Sequence, residues 1–182
     1  MTTKGKLLPS ILCTLGAILS GYAVYVEHRM HSMEENDNIE EFVALCDIES
    51  IGASCSKTFS LPQGKLLSYF NIIPHDHVLD VPNALLGLCY YIVVIILENS
   101  RLFHFWEGFT LALVILSFMT SVYLAYTLTV LNELCILCWT THVINTTMLV
   151  YYVTRRSYTG KIKQMWSYLV LTSNLFLILS NI

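Results

Sequence analysis

The residues best suited to chemistry are Cys135 and Cys138, a CxxC pair at the start of the fourth long apolar segment. In soluble proteins such a pair is typical of thioredoxin-like redox centres or zinc sites. On a helix, the three-residue spacing puts both thiols on one face. Because this pair lies at a membrane boundary, it indicates dithiol chemistry on a substrate that dissolves in the bilayer. The alternative is a pair of small, buried hydrophobic residues.

The start of a helix favours this chemistry. Asn132 is predicted to be the N-cap residue, which places Cys135 in the first helical turn. Free N–H groups and the helix dipole stabilise a thiolate at that position. The thiolate is the nucleophile in disulfide exchange, so the placement favours a redox function.

A second pair, Cys46 and Cys55, lies in the long polar loop of residues 27–80. Their spacing leaves two roles open. The pair is either a permanent disulfide that staples the loop or a shuttle that carries electrons to Cys135. Cys13 and Cys89 fall inside apolar segments and are predicted to be inert core residues.

Two polar side chains are candidate ligand contacts. His142 lies one helical turn after Cys138, and a histidine at membrane depth is usually functional. We expect it to donate to a ligand carbonyl or to favour the Cys138 thiolate, unless a backbone carbonyl satisfies it. Asn83, at the start of the second apolar segment, is predicted either to bond a ligand oxygen or to cap the helix.

Two further motifs carry little weight. His75-Asp76-His77 offers too few ligands in the loop to predict a metal site. Asn145-Thr146-Thr147 matches the glycosylation acceptor pattern but lies inside the fourth apolar segment, so we expect it to be unused.

Composition places the chain in a membrane. Apolar residues make up 55% and charged residues 13% of the 182 residues, against about 45–50% and 25% in soluble domains. The runs without acidic or basic residues are 7–26, 81–97, 108–132 and 134–154. Since a spanning helix needs about 20 such residues, we predict an all-α four-helix transmembrane bundle over 1–163. The apolar tail 164–182 is a candidate fifth helix that either crosses the membrane or associates with it without crossing.

Basic residues predict the orientation of these spans. The short flanks that carry them include Lys4, Lys6, Arg101, Arg155, Arg156, Lys161 and Lys163. Four spans put all of them on the cytoplasmic face, so the 27–80 loop and the CxxC pair share the other face. In a eukaryotic cell that face is the lumen of the endoplasmic reticulum, where disulfides persist. The sequence has no stripe of basic residues that would indicate nucleic-acid binding.

The loop contains an apolar stretch, residues 65–73, that we expect to lie on the membrane interface or to cover a site between helices. Pro74 ends this stretch, and Pro82 is predicted to lie near the start of the second long helix.

Taken together, these residues resemble the vitamin K epoxide reductase family. The combination of two loop cysteines, an asparagine on the second helix and a CxxC on the fourth is specific. The similarity runs from about residue 10 to about residue 156, and the matching stretches are Ala44–Ile48, Ser54–Phe59, Asn83–Gly87, Ser121–Ala125 and Cys135–Thr141.

The resemblance implies a four-helix bundle whose lumenal loop and cap cover a quinone pocket. Cys138 would attack or contact the quinone or epoxide, and Cys135 would close the CxxC disulfide. Cys55 would exchange with Cys135, and Cys46 would close a loop disulfide that a lumenal thioredoxin-like partner reduces. Vitamin K or its epoxide would be the substrate, with no permanently bound cofactor.

The resemblance also implies supporting roles. Asn83 would bond a substrate oxygen, Asp47 would help hold the cap loop, and the apolar pocket would be lined by Phe59, Leu86 and Tyr90. Three features depart from the common animal pattern. His142 stands where a tyrosine is usual, the spacing of the loop cysteines is one residue longer, and the tail 164–182 has no counterpart.

Three functions compete at this point. The first is a membrane thiol–quinone oxidoreductase that reduces vitamin K epoxide or quinone. The second is the reverse flow, a quinone-dependent thiol oxidase that makes disulfides for secreted proteins, since direction depends on relative potentials. The third is a membrane scaffold with a stapled loop, in which Cys135 and Cys138 would be unreactive.

Overall fold

The computed structural model describes residues 4–35, 44–48, 50, 52–74, 77, 80–100 and 103–158. The tail 164–182, together with His75 and Asp76, lies outside the described residues. The elements are α1 (Lys4–Glu35), α2 (Cys55–Phe59), a 3-10 turn (Pro62–Gly64), α3 (Leu66–Tyr69), α4 (Asn83–Asn99), α5 (Phe103–Val130) and α6 (Ile136–Tyr158). Within these ranges the only β structure is two isolated bridges.

The long helices α1, α4, α5 and α6 pack side by side. α1 contacts α4 and α6, and α5 contacts the same two helices. The core between them consists of Cys13, Tyr91, Val94, Leu111, Val114, Ile144, Met148 and Tyr152. Gly16 lets α1 approach α4 closely, because a Cβ there would collide with the Tyr91 ring.

The two free cysteines behave differently. Cys13 is fully buried, as predicted. The same prediction was wrong for Cys89, which is exposed on the outer face of α4. On a helix that contacts lipid, an apolar side chain loses nothing by facing outward, so an apolar sequence does not identify the buried face.

Two helical segments of the described chain, Leu7–Met33 and Glu107–Val130, are long and apolar enough to cross a bilayer. α4 is apolar but has 17 residues, which is the lower end of the range of about 17–25 for a spanning helix. The bundle of four transmembrane spans therefore stays a prediction.

The connection between α5 and α6 differs from the sequence prediction. Asn132 has a φ of 54° and follows the end of α5. Its N–H donates to Thr129 O at 3.3 Å, and the Glu133 N–H donates to Leu128 O at 3.0 Å. This pattern is a Schellman motif, in which asparagine tolerates the left-handed conformation. Asn132 therefore terminates α5, and the prediction that it caps α6 was wrong.

The cap segment between α2 and α4 covers one end of the bundle. Phe70, after α3, packs on Tyr123 of α5 with ring centroids 5.2 Å apart. Leu66 and Ser68 are buried, whereas Tyr69, Phe70 and Ile72 expose large apolar surfaces. Pro82 is the N-cap of α4, close to its predicted position at the helix start.

A buried ionic cluster joins the other ends of α4 and α6. Glu98 is fully buried. Its carboxylate accepts a hydrogen bond from the Tyr152 hydroxyl, and Arg155 Nη1 lies 3.4 Å from Glu98 Oε1. The cluster holds together the ends of α4 and α6 that are farthest from Asn83 and the CxxC pair.

This cluster predicts a stability ranking. Glu98→Ala leaves the Arg155 guanidinium and the Tyr152 hydroxyl without their buried acceptor, a loss that typically costs about 3–5 kcal/mol. Glu98→Gln keeps an acceptor for both groups and should cost less. Thermal unfolding of the purified protein in detergent should rank wild type above Gln and Gln above Ala. An Ala variant as stable as wild type would show that the cluster does not hold the two helices.

Candidate functional site

Backbone pairing brings the loop cysteines to the start of α6. Ile48 and Ala53 exchange N–H···O bonds of 2.8 and 3.1 Å around a tight turn in which Gly52 has a φ of +67°. Ala53 also forms a parallel bridge with Leu134, and the Ser54 N–H donates to Leu134 O at 2.9 Å. The residues that follow in each segment, Cys55 and Cys135, therefore lie side by side.

The four sulfur atoms form one continuous series of bonds and contacts. Cys46 is bonded to Cys55 and Cys135 to Cys138, with Cα–Cα distances of 5.8 and 5.3 Å. Between the two disulfides, Cys55 Sγ lies 3.7 Å from Cys135 Sγ. Cys55 and Cys135 are 0% exposed, Cys46 is buried, and Cys138 is half-buried. The arrangement can pass a disulfide from one pair to the other without a large movement of the chain.

Cys135 occupies the N-cap position of α6. The helix begins at Ile136, and the Trp139 N–H donates to Cys135 O at 3.0 Å. The Cys138 N–H points at Cys135 Sγ, 3.2 Å away. The sulfur thus takes the place of the side-chain oxygen in an ordinary N-cap. When reduced, a Cys135 thiolate would accept this N–H and benefit from the helix dipole.

Asp47 ties the two loop cysteines together. Its Oδ1 accepts from the N–H groups of Cys55 at 2.6 Å and Ser56 at 3.1 Å. Its Oδ2 accepts from the Ser56 hydroxyl and from the Ala44 N–H. Burial alone would raise the pKa of the Asp47 carboxyl, but these hydrogen bonds outweigh it and hold the pKa below its usual value.

An apolar shell surrounds the sulfurs. Val26 of α1, Ala44 and the cysteines form one buried cluster, against which Phe59 and Leu137 pack. Phe59 therefore lies beside the disulfides. The shell limits the access of water to the exchange reaction.

Asn83 connects the cap segment to α4. Its Nδ2 donates to Gln63 O at 2.6 Å, and its Oδ1 accepts from the Leu66 N–H at 3.0 Å. The side chain does not cap α4, whose N-cap is Pro82. An ion pair of 3.6 Å between Lys65 and Asp80 lies in the same region.

His142 lines an open groove between α5 and α6 with a volume of about 280 Å³. The residue is 9% exposed, and neither ring nitrogen has a hydrogen-bond partner within the described part of the chain. Among the described residues, no backbone carbonyl accepts from the ring. The other lining residues are Phe118, Ser121, Val122, Ala125, Trp139, Val143, Thr146 and Thr147.

The predicted binding residues are spread over several places. Phe59 lies against the cysteines, Asn83 at the junction of cap and α4, and His142 in the α5–α6 groove. Leu86 is 39% exposed on α4, and Tyr90 packs on the bundle core. Of these five residues, only His142 lines the α5–α6 groove.

A buried hydrogen-bond chain across three helices was not predicted from the sequence. The Tyr91 hydroxyl donates to Asn145 Oδ1 at 2.9 Å, and Asn145 Nδ2 donates to Ser121 Oγ at 2.7 Å. Asn145 stood out only as a glycosylation acceptor, and its buried, bonded amide agrees with the expectation that this site is unused. The available signal was a second polar side chain three residues after His142 in an apolar helix, because polar residues in such helices usually face the bundle interior.

The Asp47 contacts predict how the loop responds to substitution and pH. Asp47→Asn removes a charged acceptor from the Cys55 and Ser56 N–H groups, so their hydrogen exchange at pH 7 should accelerate about tenfold or more. Because the pKa of Asp47 is lower in the folded than in the unfolded protein, its carboxylate contributes its full stability above the unfolded-state pKa of about 3.9. That contribution is lost as the pH falls through the folded-state pKa. Wild-type protection should therefore persist at neutral pH and fail only in stronger acid.

Asp80→Asn is the matched control, because Asp80 pairs with Lys65 rather than with the cysteine loop. Unchanged protection of Cys55 and Ser56 in Asp47→Asn would show that the carboxylate does not hold the loop.

Comparison with known proteins finds relatives over most of the chain. Residues 7–153 match the vitamin K epoxide reductase family. Vitamin K epoxide reductase complex subunit 1 of Mus musculus is 35% identical over 140 residues, 74% of this chain and 80% of the mouse protein. The Rattus norvegicus protein of the same name is 33% identical over 140 residues, with the same shares of both chains. The matched span contains all four paired cysteines, and the chain is a membrane protein that belongs to the vitamin K epoxide reductase family.

Proposed function

We propose that this protein is a thiol–quinone oxidoreductase of the endoplasmic reticulum membrane that reduces vitamin K epoxide, vitamin K quinone or both. The observation that carries the proposal is the 3.7 Å separation of Cys55 Sγ and Cys135 Sγ, which links the two disulfides. A disulfide that only staples a loop has no need of a second disulfide in contact with it. The contact therefore favours a relay over a scaffold.

In the proposed relay, a lumenal thioredoxin-like dithiol reduces the Cys46–Cys55 disulfide and becomes a disulfide itself. The Cys55 thiolate then attacks Cys135 Sγ, and the electron pair of the Cys135–Cys138 bond leaves on Cys138. The Cys46 thiolate next attacks Cys55 Sγ, which re-forms the loop disulfide and releases Cys135 as a thiolate. Two electrons have then moved from the partner to the CxxC pair.

The reduced CxxC pair then acts on the substrate. With an epoxide, Cys138 is the attacking thiolate, the two thiols become a disulfide, and the epoxide oxygen leaves as water. With a quinone, the same pair supplies two electrons and two protons, and the product is a hydroquinone. Cys138 suits the substrate-facing role because it is the half-buried member of the four.

Asn83 can hold the cap and contact the substrate at the same time. An asparagine side chain has two N–H donors and an oxygen with two lone pairs. The bonds to Gln63 and Leu66 use one donor and one lone pair. The second N–H can donate to a substrate oxygen.

The proposed topology places the relay in the lumen. Four crossings by α1, α4, α5 and α6 put the cap, the loop disulfide and the start of α6 on one face and the basic flanks on the other. Cys46 is the relay cysteine farthest along the bonds from Cys138, and because it is buried, the loop must open locally for a soluble dithiol protein to reach it. The hydrogen bonds to Asp47 keep Cys55, the disulfide partner of Cys46, beside Cys135.

The same four sulfurs serve the reverse flow, in which the protein oxidises thiols and passes electrons to a quinone. The direction is set by the potentials of the two pairs, since about 30 mV corresponds to 1.4 kcal/mol for a two-electron couple. Turnover of vitamin K epoxide by the purified protein with dithiothreitol tests the reductase direction, because dithiothreitol replaces the natural partner.

Two cysteine variants separate the ends of the relay. Cys138→Ala should abolish epoxide reduction with any reductant, because it removes the substrate-facing thiol. Cys46→Ala should keep much of the activity with dithiothreitol, which reaches the CxxC pair directly, and lose it with a thioredoxin-like protein dithiol. Cys89→Ala, an exposed cysteine outside the relay, is the control. Equal inactivity of both variants with dithiothreitol would contradict the shuttle role of the loop pair.

A further inference from the structure

We propose that the two cysteine pairs, once reduced, together form a zinc site that stops electron transfer while the metal is bound. The ligands are the thiolates of Cys46, Cys55, Cys135 and Cys138, and the occupant is one Zn²⁺ ion. The site rests on the arrangement of the sulfurs and not on the substrate that the protein reduces. Its effect on turnover rests on the proposed function.

The first observation is the distance between the two pairs. Zinc bonds a thiolate sulfur at about 2.3 Å and takes four ligands in a tetrahedron, which sets neighbouring sulfurs about 3.8 Å apart. Cys55 Sγ and Cys135 Sγ are 3.7 Å apart. Sulfurs from two distant segments of the chain therefore already stand at the separation that a shared zinc ion requires.

The second observation is that the other two sulfurs belong to the same cluster. Cys46 is buried together with Cys55 and Cys135, and Cys138 packs against these residues. Within the pairs the Cα atoms are 5.8 and 5.3 Å apart, so each pair can offer two thiolates to one ion without a large backbone movement. The CxxC spacing of the α6 pair is also that of half a four-cysteine zinc site.

The third observation is that hydrogen bonds hold the frame independently of the disulfides. The Ser54 N–H donates to Leu134 O, which keeps the loop pair beside the α6 pair after reduction. The Cys138 N–H points at Cys135 Sγ, 3.2 Å away, at the start of α6. A zinc ion with four thiolates is a dianion. The N–H group and the helix N-terminus stabilise this charge and orient the ligand sulfur.

The carboxylate of Asp47 lies close enough to compete as a ligand, but its acceptor sites are already used. One of its oxygens and the sulfurs of Cys46 and Cys55 lie within 4.8 Å of one another. A carboxylate has about four lone-pair sites, and this one accepts four hydrogen bonds. Thiolates also select zinc, whereas carboxylates suit magnesium and calcium. We therefore assign the fourth ligand position to Cys138 and leave Asp47 to support the loop.

Zinc binding and disulfide formation compete for the same sulfurs. Binding converts the thiols to thiolates, releases their protons and moves no electrons. A sulfur bound to zinc cannot attack a disulfide or the substrate, and a sulfur in a disulfide cannot bind zinc as a thiolate. The oxidised protein therefore lacks the ligands of this site, and the zinc-loaded protein lacks a working relay.

Metal titration of the purified full-length protein tests the site. The protein in detergent is reduced with a phosphine, separated from it without oxygen and titrated with Zn²⁺ against a coloured chelator. We expect one tightly bound ion per reduced chain and no comparable binding after oxidation with diamide. Co²⁺, a coloured substitute, should show the absorption of a tetrahedral site with four thiolates, a count that needs no variant. Equal binding by the oxidised protein, or a cobalt spectrum of fewer than four thiolates, would overturn the proposal.

Single substitutions show whether the two pairs share one ion. Loss of a residue that only hydrogen-bonds to a metal ligand typically costs about 10–100-fold in affinity, so loss of a ligand should cost about 100-fold or more. We expect this loss in both Cys46→Ser and Cys138→Ser, which remove one ligand from each pair. Cys89→Ser, at an exposed cysteine outside the cluster, should bind as wild type. Unchanged affinity in Cys46→Ser would show that the CxxC pair binds the metal alone and would overturn the shared site.

Inhibition and thiol labelling distinguish this proposal from the proposed function. Turnover is measured with a phosphine as reductant, because dithiothreitol would chelate the metal. Zn²⁺ buffered at about ten times its measured Kd should suppress turnover about tenfold and should protect Cys138 from iodoacetamide, and EDTA should reverse both effects. Zinc protection in a protein that turns over no quinone or epoxide would contradict the reductase and support the site. Normal turnover and normal labelling in saturating Zn²⁺ would overturn the site and leave the reductase intact.

Discussion

The site depends on the pairing of two short backbone segments. Ala53 and Ser54 lie alongside Leu134, held by the bond from the Ser54 N–H to Leu134 O. Since each cysteine directly follows its paired segment, this one register determines that Cys55 contacts Cys135. A shift by one residue would turn the side chains to opposite sides and separate the sulfurs. The chemistry of a membrane enzyme thus rests on a few hydrogen bonds in its loop.

Several local features maintain this register. The Gly52 turn folds the loop back, and the Asp47 carboxylate gathers N–H groups from both ends of the turn. On the other side, Asn132 ends α5 so that α6 begins with Cys135 at its N-cap. These contacts fix the backbone and leave the sulfurs to exchange partners. A rigid frame with movable disulfides is what a relay requires.

The sequence predicted the long helices, the paired cysteines and a buried Cys13, because apolar runs and cysteine spacing are local signals. It did not predict that Cys135 is the N-cap of α6. Asparagine is favoured both as an N-cap and at the left-handed position that ends a helix, so Asn132 fitted either role. The sequence did not separate the outward Cys89 from the buried Cys13, because lipid and protein core select the same residue types. The pairing of Ser54 with Leu134 joins segments 80 residues apart and leaves no periodic signal. His142 stood out as polar, but only the structure shows that its ring has no hydrogen-bond partner among the described residues.

Trapping the mixed disulfide between Cys55 and Cys135 tests whether the two sulfurs exchange directly. The variant Cys46→Ala/Cys138→Ala leaves these two thiols as the only relay cysteines, and mild oxidation with diamide should join them. Mass spectrometry of the digested protein should then find the peptides of Cys55 and Cys135 linked. The control Cys46→Ala/Cys135→Ala should link Cys55 and Cys138 far less. If Cys55 and Cys135 stayed free thiols while Cys55 and Cys138 joined readily, electrons would bypass Cys135 and the relay described here would be wrong.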